Sequence, residues 1–332
     1  MTQIHPGRIY HPDGPLLVPD DLSDMRPTLG IFLQLCATLA FAIMSALVRG
    51  VADEMSSGLV VFARSLIGLV PVVIWLMWRG ELRTALVTAH PVGHAVRGLV
   101  GVSSMWAGFA ALAYIPLAEA ITFTYVTPLV TMILAVLLLG ERVPAYRWVG
   151  VGIGFAGIVT MLSPLLGQPG METQGTGTQG TGTQGAMVGV ALALYGAIAA
   201  GFALTQVRRL TRTETTGGIV FYFSVVATVA SLVTVPQWTV PSASAALVLV
   251  GVGIAGGVGQ IFLTAANRLA PASVVAPFNY ATLLWAVFLG ALLFKEWPHW
   301  LVFCGAALVV MSGAGVAWRE GQVAQRGSRT QP

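Results

Sequence analysis

The feature that most constrains this chain is a repeat. The segment from Pro116 to Glu141, PLAEAITFTYVTPLVTMILAVLLLGE, recurs 155 positions later as PASVVAPFNYATLLWAVFLGALLFKE, from Pro271 to Glu296. In that register Pro116 falls on Pro271, Phe123 on Phe278, Tyr125 on Tyr280, Thr127 on Thr282 and Glu141 on Glu296. Gly98, Gly101 and Gly150 fall on Gly253, Gly256 and Gly305. Leucine matches are cheap in an apolar chain, whereas matched Pro, Tyr, Thr and Glu in one register are not. The pattern is an internal duplication, so whatever fold one half adopts the other must repeat.

The medium of that fold follows from composition. Hydrophobic residues make up 56% of the chain and charged residues 9%, against roughly 25% charged in a soluble domain. The apolar runs are about 20 residues long, the length that spans the hydrocarbon core as helix. Backbone groups in lipid must be satisfied within the segment, so each run is expected to be helical. An all-α polytopic membrane protein with ten transmembrane helices results. The expected spans lie near 28–49, 58–78, 95–114, 118–139, 147–165, 186–207, 217–235, 245–266, 272–294 and 299–318. They divide into a polar tail over 1–27, a first five-helix repeat over 28–165, a linker over 166–185, a second repeat over 186–318 and a tail over 319–332. The linker contains TQGTGTQGTGTQG from Thr173 to Gly185, an uncharged period-five sequence that can bury no core. No basic stretch precedes an apolar one in the first tail, which argues against a cleaved signal peptide.

Loop charge orients the chain. With the N-terminus inside, Arg79, Arg83, Arg97, Arg142, Arg147, Arg208, Arg209 and Arg268 join the inside segments, and only Arg49 and Lys295 fall outside. The positive-inside rule then places both termini in the cytoplasm, in a cell inner (plasma) membrane. Each repeat has an odd number of spans, so the second copy enters upside down relative to the first. Two inverted copies suit alternating access, because near-equivalent arrangements can exchange which side is open.

Little in the spans can do covalent chemistry. The histidines, His5, His11, His90, His94 and His299, lie outside the depths of the spans, as do all aspartates. Serine-histidine, zinc and paired-aspartate proteolysis have no residues to run on. A phosphate-loop ATPase lacks its lysine, since Lys295 is the sole lysine and ends a span. Neither enzyme chemistry, a cofactor nor a nucleic-acid partner is expected. Cys36 and Cys304 read as small buried residues.

Two ionisable side chains are expected inside spans: Arg64, six residues into span two, and Glu119, at the start of span four. Both lie toward the outer face, where they could pair as a gating or coupling element. The competing readings are snorkelling of Arg64 and a helix-dipole role for Glu119. Thr124, Thr127 and Thr131 form one polar stripe of span four, and Pro128 should free the Thr124 carbonyl. Span nine repeats the stripe as Asn279, Thr282 and Ala286. With Phe123, Tyr125, Phe278 and Tyr280 beside them, facing stripes would make an aromatic-walled substrate pocket, completed by Ser103, Ser104 and Trp106 of span three and Gln260 and Thr264 of span eight. The alternative is that the hydroxyls bond back to their own helices and the rings pack. Gly150, Gly154, Gly157, Gly253 and Gly257 read as close helix packing, and Glu141 and Glu296 as caps or salt bridges, with a gate as second reading.

The five-helix repeat, the PLAEA opening of span four and the GE that ends it resemble the EamA family of the drug/metabolite transporter superfamily, over about 28–318. FAIMSALVRG in span one, VFARS in span two and Arg97-Gly98 are similar to members grouped with S-adenosylmethionine uptake carriers; the tryptophan-glycine pair usual in span one is absent. The resemblance implies a ten-helix secondary carrier in membrane lipid that moves a small molecule. An amino acid or related amphipathic metabolite, exported, is the leading expectation, and uptake of an S-adenosylmethionine-like nucleoside the runner-up. A homo-oligomer is compatible with either. A non-transporting scaffold is the alternative from another class, but it has no need of matched polar stripes at mid-depth.

Overall fold

The computed structural model describes residues 26–139, 145–167, 183–210, 213–269 and 276–329. The first tail, most of the Thr173–Gly185 linker, Glu141 and Pro271 lie outside the described residues. The described chain is helical, with no strand.

The first half runs α1 (Pro27–Val51), α2 (Ser57–Trp78), a short α3 (Leu82–Ala85), α4 (Pro91–Ala111), α5 (Leu117–Phe123), α6 (Val126–Leu139) and α7 (Ala145–Gly167). The second half runs α8 (Thr183–Leu210), α9 (Thr216–Ser231), α10 (Ala243–Leu269), a 3-10 turn (Ala276–Tyr280), α11 (Ala281–Leu289), a π turn (Gly290–Phe294) and α12 (Trp300–Arg329). Boundaries follow local chemistry. Proline opens α1 and α4, where its missing N–H costs nothing. Ser56 caps α2 by accepting from Leu59 N at 3.4 Å, and Thr215 caps α9 by accepting from Gly218 N at 3.1 Å.

Among the described residues, five helices are long and apolar enough to cross a membrane: 28–51, 57–78, 184–207, 217–237 and 243–266. Shorter apolar helices cover 148–160, 278–294 and 300–312. The expected fourth and ninth spans are broken. Helix α5 ends at Phe123 and α6 restarts at Val126, with Pro128 in its first turn, where proline is tolerated. The described part of the ninth, from Ala276, is built from a 3-10 turn, α11 and a π turn in succession. Irregular helices of this kind survive in a membrane only where protein or a cavity surrounds them.

Packing reproduces the duplication. Helix α1 packs on α10, and α8 on α4. Helix α2 packs on α10, and α9 on α4; α6 packs on α8, and α11 on α1. Each of these contacts has its counterpart when the halves are exchanged, and α2–α9 and α7–α12 pair across the exchange. Small residues permit the closest crossings. A Cβ on Gly257 would stand 2.5 Å from Pro71 Cγ, and one on Gly157 2.7 Å from the Gly305 carbonyl oxygen.

The two ends of the bundle are tied differently. At one end Glu214, between α8 and α9, reaches the loop before α4. Its Oε1 accepts from Thr88 Oγ1 at 2.8 Å, Ala89 N at 2.9 Å and His90 N at 3.1 Å. Its Oε2 lies 3.7 Å from His94 Nε2. Partial burial pushes this carboxyl up, but the hydrogen bonds and the charge of His94 outweigh it and hold the group below the ordinary carboxylate range. A depressed folded pKa stabilises the protein above the unfolded value of about 4.3, and that contribution is lost as pH falls through the folded value. Glu214→Gln should therefore unfold at a lower temperature than wild type at neutral pH, with the gap narrowing on acidification. A gap unchanged between neutral and acid pH would mean that the charge contributes nothing.

Candidate functional site

At the opposite end of the bundle, an arginine stands in the last turn of α1 and a glutamate just past the π turn. Lys295 takes the left-handed conformation (φ 58°), which turns the chain back after Phe294. Glu296 is thereby buried against α1. Arg49 Nη2 donates to Glu296 Oε1 at 2.9 Å and Arg49 Nε to the same oxygen at 3.2 Å, with both side chains 3% exposed. Arg49 Nη1 donates to the Leu112 carbonyl, and Glu296 Oε2 accepts from Leu117 N at 2.9 Å. Glu296 thus satisfies an orphan donor of α5, and one ion pair joins α1, the loop between α4 and α5, and the end of the π turn. Glu296 is expected as a cap or salt bridge, and the structure gives it both, with a partner, Arg49, 247 positions away.

The threonines of α5–α6 are bonded. Thr124 Oγ1 donates to the Ile121 carbonyl at 2.6 Å, Thr127 Oγ1 to Ala197 of α8 at 3.2 Å, and Thr131 Oγ1 to Thr127 at 2.8 Å. The Thr124 carbonyl is not freed by Pro128, because Thr127 N closes a turn onto it at 3.1 Å. Thr124 and Thr127 nonetheless line a cavity of about 230 Å³ between α1, α4, α5–α6 and α8, with Met44, Ser45, Ser104 and Gly196 among its walls.

The second stripe does not join that cavity. Asn279 Oδ1 instead accepts from Gln34 Nε2 of α1 at 2.6 Å. Thr282 Oγ1 bonds back to the Asn279 carbonyl at 2.8 Å. Tyr125 and Tyr280 form the joint between the two broken spans. Their rings meet edge-on at 5.1 Å, and Tyr125 Oη accepts from Leu283 N at 3.1 Å. Phe123 is buried in the main core, and Trp106 packs against that core with no partner for its Nε1 among the described residues. Phe278 belongs to the 3-10 turn and does not line that cavity.

Arg64 and Glu119 are not brought together. Among the described residues the ion pairs are Arg49–Glu296, Arg79–Glu81 and His94–Glu214. Arg64 lines a second cavity, of about 20 Å³, with Arg97, Phe223, Ser224, Gly256 and Gln260. The guanidinium carbon of Arg97 lies 3.8 Å from the centroid of the Phe223 ring, and that of Arg64 5.9 Å from it. Counting Arg97 as a loop charge hid it, since it stands well inside α4. Two further residues escaped the sequence reading. Gln34, 1% exposed, is a buried amide within an apolar span and could have been found as such. Phe223 carries no signal of its own.

A sequence profile of the EamA-like transporter family matches residues 28–163 and 187–318. A pseudopaline exporter of Pseudomonas aeruginosa is 30% identical over 289 residues, 85% of this chain and 94% of that protein. An S-adenosylmethionine uptake transporter of Rickettsia prowazekii is 27% identical over 242 residues, 72% of this chain and 76% of that protein. A protein crystal structure, 21% identical, superposes with a TM-score of 0.60 over 88% of this chain and 98% of its own.

Proposed function

This chain belongs to the EamA-like transporter family, and we propose that it exports a small amphipathic metabolite, an amino acid or related compound, by alternating access across the inner membrane. It carries out no covalent chemistry on its cargo in this reading. Ten spans in two inverted halves, with both termini cytoplasmic, complete the proposal. The observation that carries it is the 230 Å³ cavity, lined by Ser104, Thr124 and Thr127 among apolar side chains and enclosed by helices of both halves. Such a cavity can hold a small solute through apolar contact while a few polar groups orient it. The buried Arg49–Glu296 pair at one end and the Glu214 clamp at the other are the natural places for closure on each side. Export as the direction rests on the likeness to the pseudopaline exporter. Uptake of an S-adenosylmethionine-like nucleoside is the second reading, favoured by the Rickettsia relative.

Counterflow in proteoliposomes, preloaded in turn with amino acids, nucleosides and their conjugates, tests the reading. Accumulation of an amino-acid-like solute is expected. Accumulation of nucleosides alone favours the second reading, and no counterflow with any solute removes both. Topology is tested separately. A cysteine at Thr178, in the linker, should react with an impermeant thiol reagent in intact cells, and labelling confined to lysed cells would reverse the inverted arrangement.

A further inference from the structure

Arg64 and Arg97 share a cavity and lack a counter-ion among the described residues. Neither belongs to any ion pair among the described residues, and Arg64 Nε, Arg97 Nε and Arg97 Nη1 are buried without hydrogen-bond partners. The other polar groups at the cavity are Gln260 and Ser224, whose hydroxyl is already committed to the Val220 carbonyl at 3.1 Å. Phe223 supplies only the face of one ring, which both guanidiniums approach. A cation–π contact offsets part of the desolvation of one cation. It leaves the in-plane N–H donors unfilled, and it holds two like charges beside one ring.

Ionisable groups within a membrane are retained where they pair, face water or bind. Here the donors outnumber the acceptors, and the missing member is an anion. A guanidinium presents a planar fork that matches the two oxygens of a carboxylate. The cavity, at about 20 Å³, has room for one or two water-sized groups. That fits the end of a ligand and not its body. Space for the body is close by. A Cβ on Gly256 would meet Arg64 Nε at 3.1 Å and Met44 Sδ at 3.0 Å, and Met44 lines the 230 Å³ cavity. Arg64 and Met44, a wall residue of the larger space, therefore approach each other at Gly256.

We infer that Arg64 and Arg97 form the anion-recognising end of the substrate site and take a carboxylate of the transported molecule, with Gln260 as an adjoining polar contact. The inference rests on the carrier reading above and narrows its substrates to those bearing a carboxylate. It also gives Arg64 a role different from pairing with Glu119.

The test uses the full chain purified in detergent, with the thermal unfolding midpoint followed in the presence of matched acids and amides. The pairs are L-phenylalanine and L-phenylalaninamide, N-acetyl-L-glutamate and N-acetyl-L-glutamine, and phenylacetate and phenylacetamide. At least one acid should raise the midpoint in a saturable manner where its amide does not. Arg64→Gln and Arg97→Gln should each weaken that acid by about ten- to hundredfold, the loss expected for a charged hydrogen bond, and Arg64→Lys should recover part of it. If a glutamine variant does not yield monodisperse protein, the acid-against-amide comparison in wild type still decides. Equal stabilisation by acid and amide, no stabilisation by any acid, or undiminished stabilisation in folded glutamine variants overturns the inference. Acid-specific stabilisation without counterflow supports the anion site and removes the carrier reading. Counterflow of a solute without a carboxylate, insensitive to Arg97→Gln, keeps the carrier and overturns the anion site.

Discussion

Glu296→Ala should destabilise the protein by about 3–5 kcal/mol, the penalty for removing one partner of a buried ion pair and leaving the other charge uncompensated. The pair is 3% exposed on both sides, so solvent cannot take the place of the lost carboxylate. The deletion also strips Leu117 N of its acceptor at the start of α5. Arg49→Ala should cost a similar amount through the stranded carboxylate. Replacing both at once, Arg49→Met with Glu296→Leu, should recover much of the loss, since an apolar pair of similar volume carries no desolvation penalty. Thermal midpoints of the two single variants and the double variant close the cycle. A double variant as damaged as the sum of the singles would show that the two side chains act independently. If the pair also holds this end of the bundle shut, the double variant will be stable but leaky: counterflow should lose its dependence on internal solute while folding survives.

That pair also shows where the sequence stops being informative. Register within a repeat is local information, so the duplication could be read by matching Pro116, Tyr125 and Thr127 against Pro271, Tyr280 and Thr282. The exchange symmetry of the helix contacts follows from it. Charge counting in loops reads position along the chain and not depth in the bundle. It therefore placed Arg97 with the loop arginines, although the side chain stands over Phe223 inside α4. Partner choice across the fold is less legible still. Glu296 has a lysine beside it in sequence and binds an arginine from the other half, because a π turn and a left-handed residue rotate it inward. The threonine stripe was visible, but a stripe does not say which helix faces it. Thr127 and Thr131 bond to α8, and the counterpart Asn279 bonds to α1. Side chains on a broken helix turn through angles that a regular 3.6-residue period does not predict.

Two adjacent glycines of α10 should separate packing from function. Gly257→Ala should cost about 1–3 kcal/mol, as overpacking in a closed core does. Its Cβ would stand 2.5 Å from Pro71 Cγ, 3.0 Å from the Gly68 carbonyl oxygen and 3.2 Å from Gly68 Cα. A proline ring and helix backbone cannot swing aside, so α2 and α10 must move apart. Gly256→Ala meets two flexible side chains, Met44 Sδ at 3.0 Å and Arg64 Nε and Cγ at 3.1 and 3.3 Å, which can give way by changing rotamer. Its midpoint should fall less than that of Gly257→Ala. It displaces the guanidinium that lines the small cavity, however, and so should depress counterflow more than its stability loss accounts for. Measuring midpoint and counterflow for both variants gives the comparison. If Gly256→Ala is the less stable of the two, the α2–α10 crossing is not as close at Pro71 as described. If its counterflow equals wild type, the position of Arg64 is unimportant to transport.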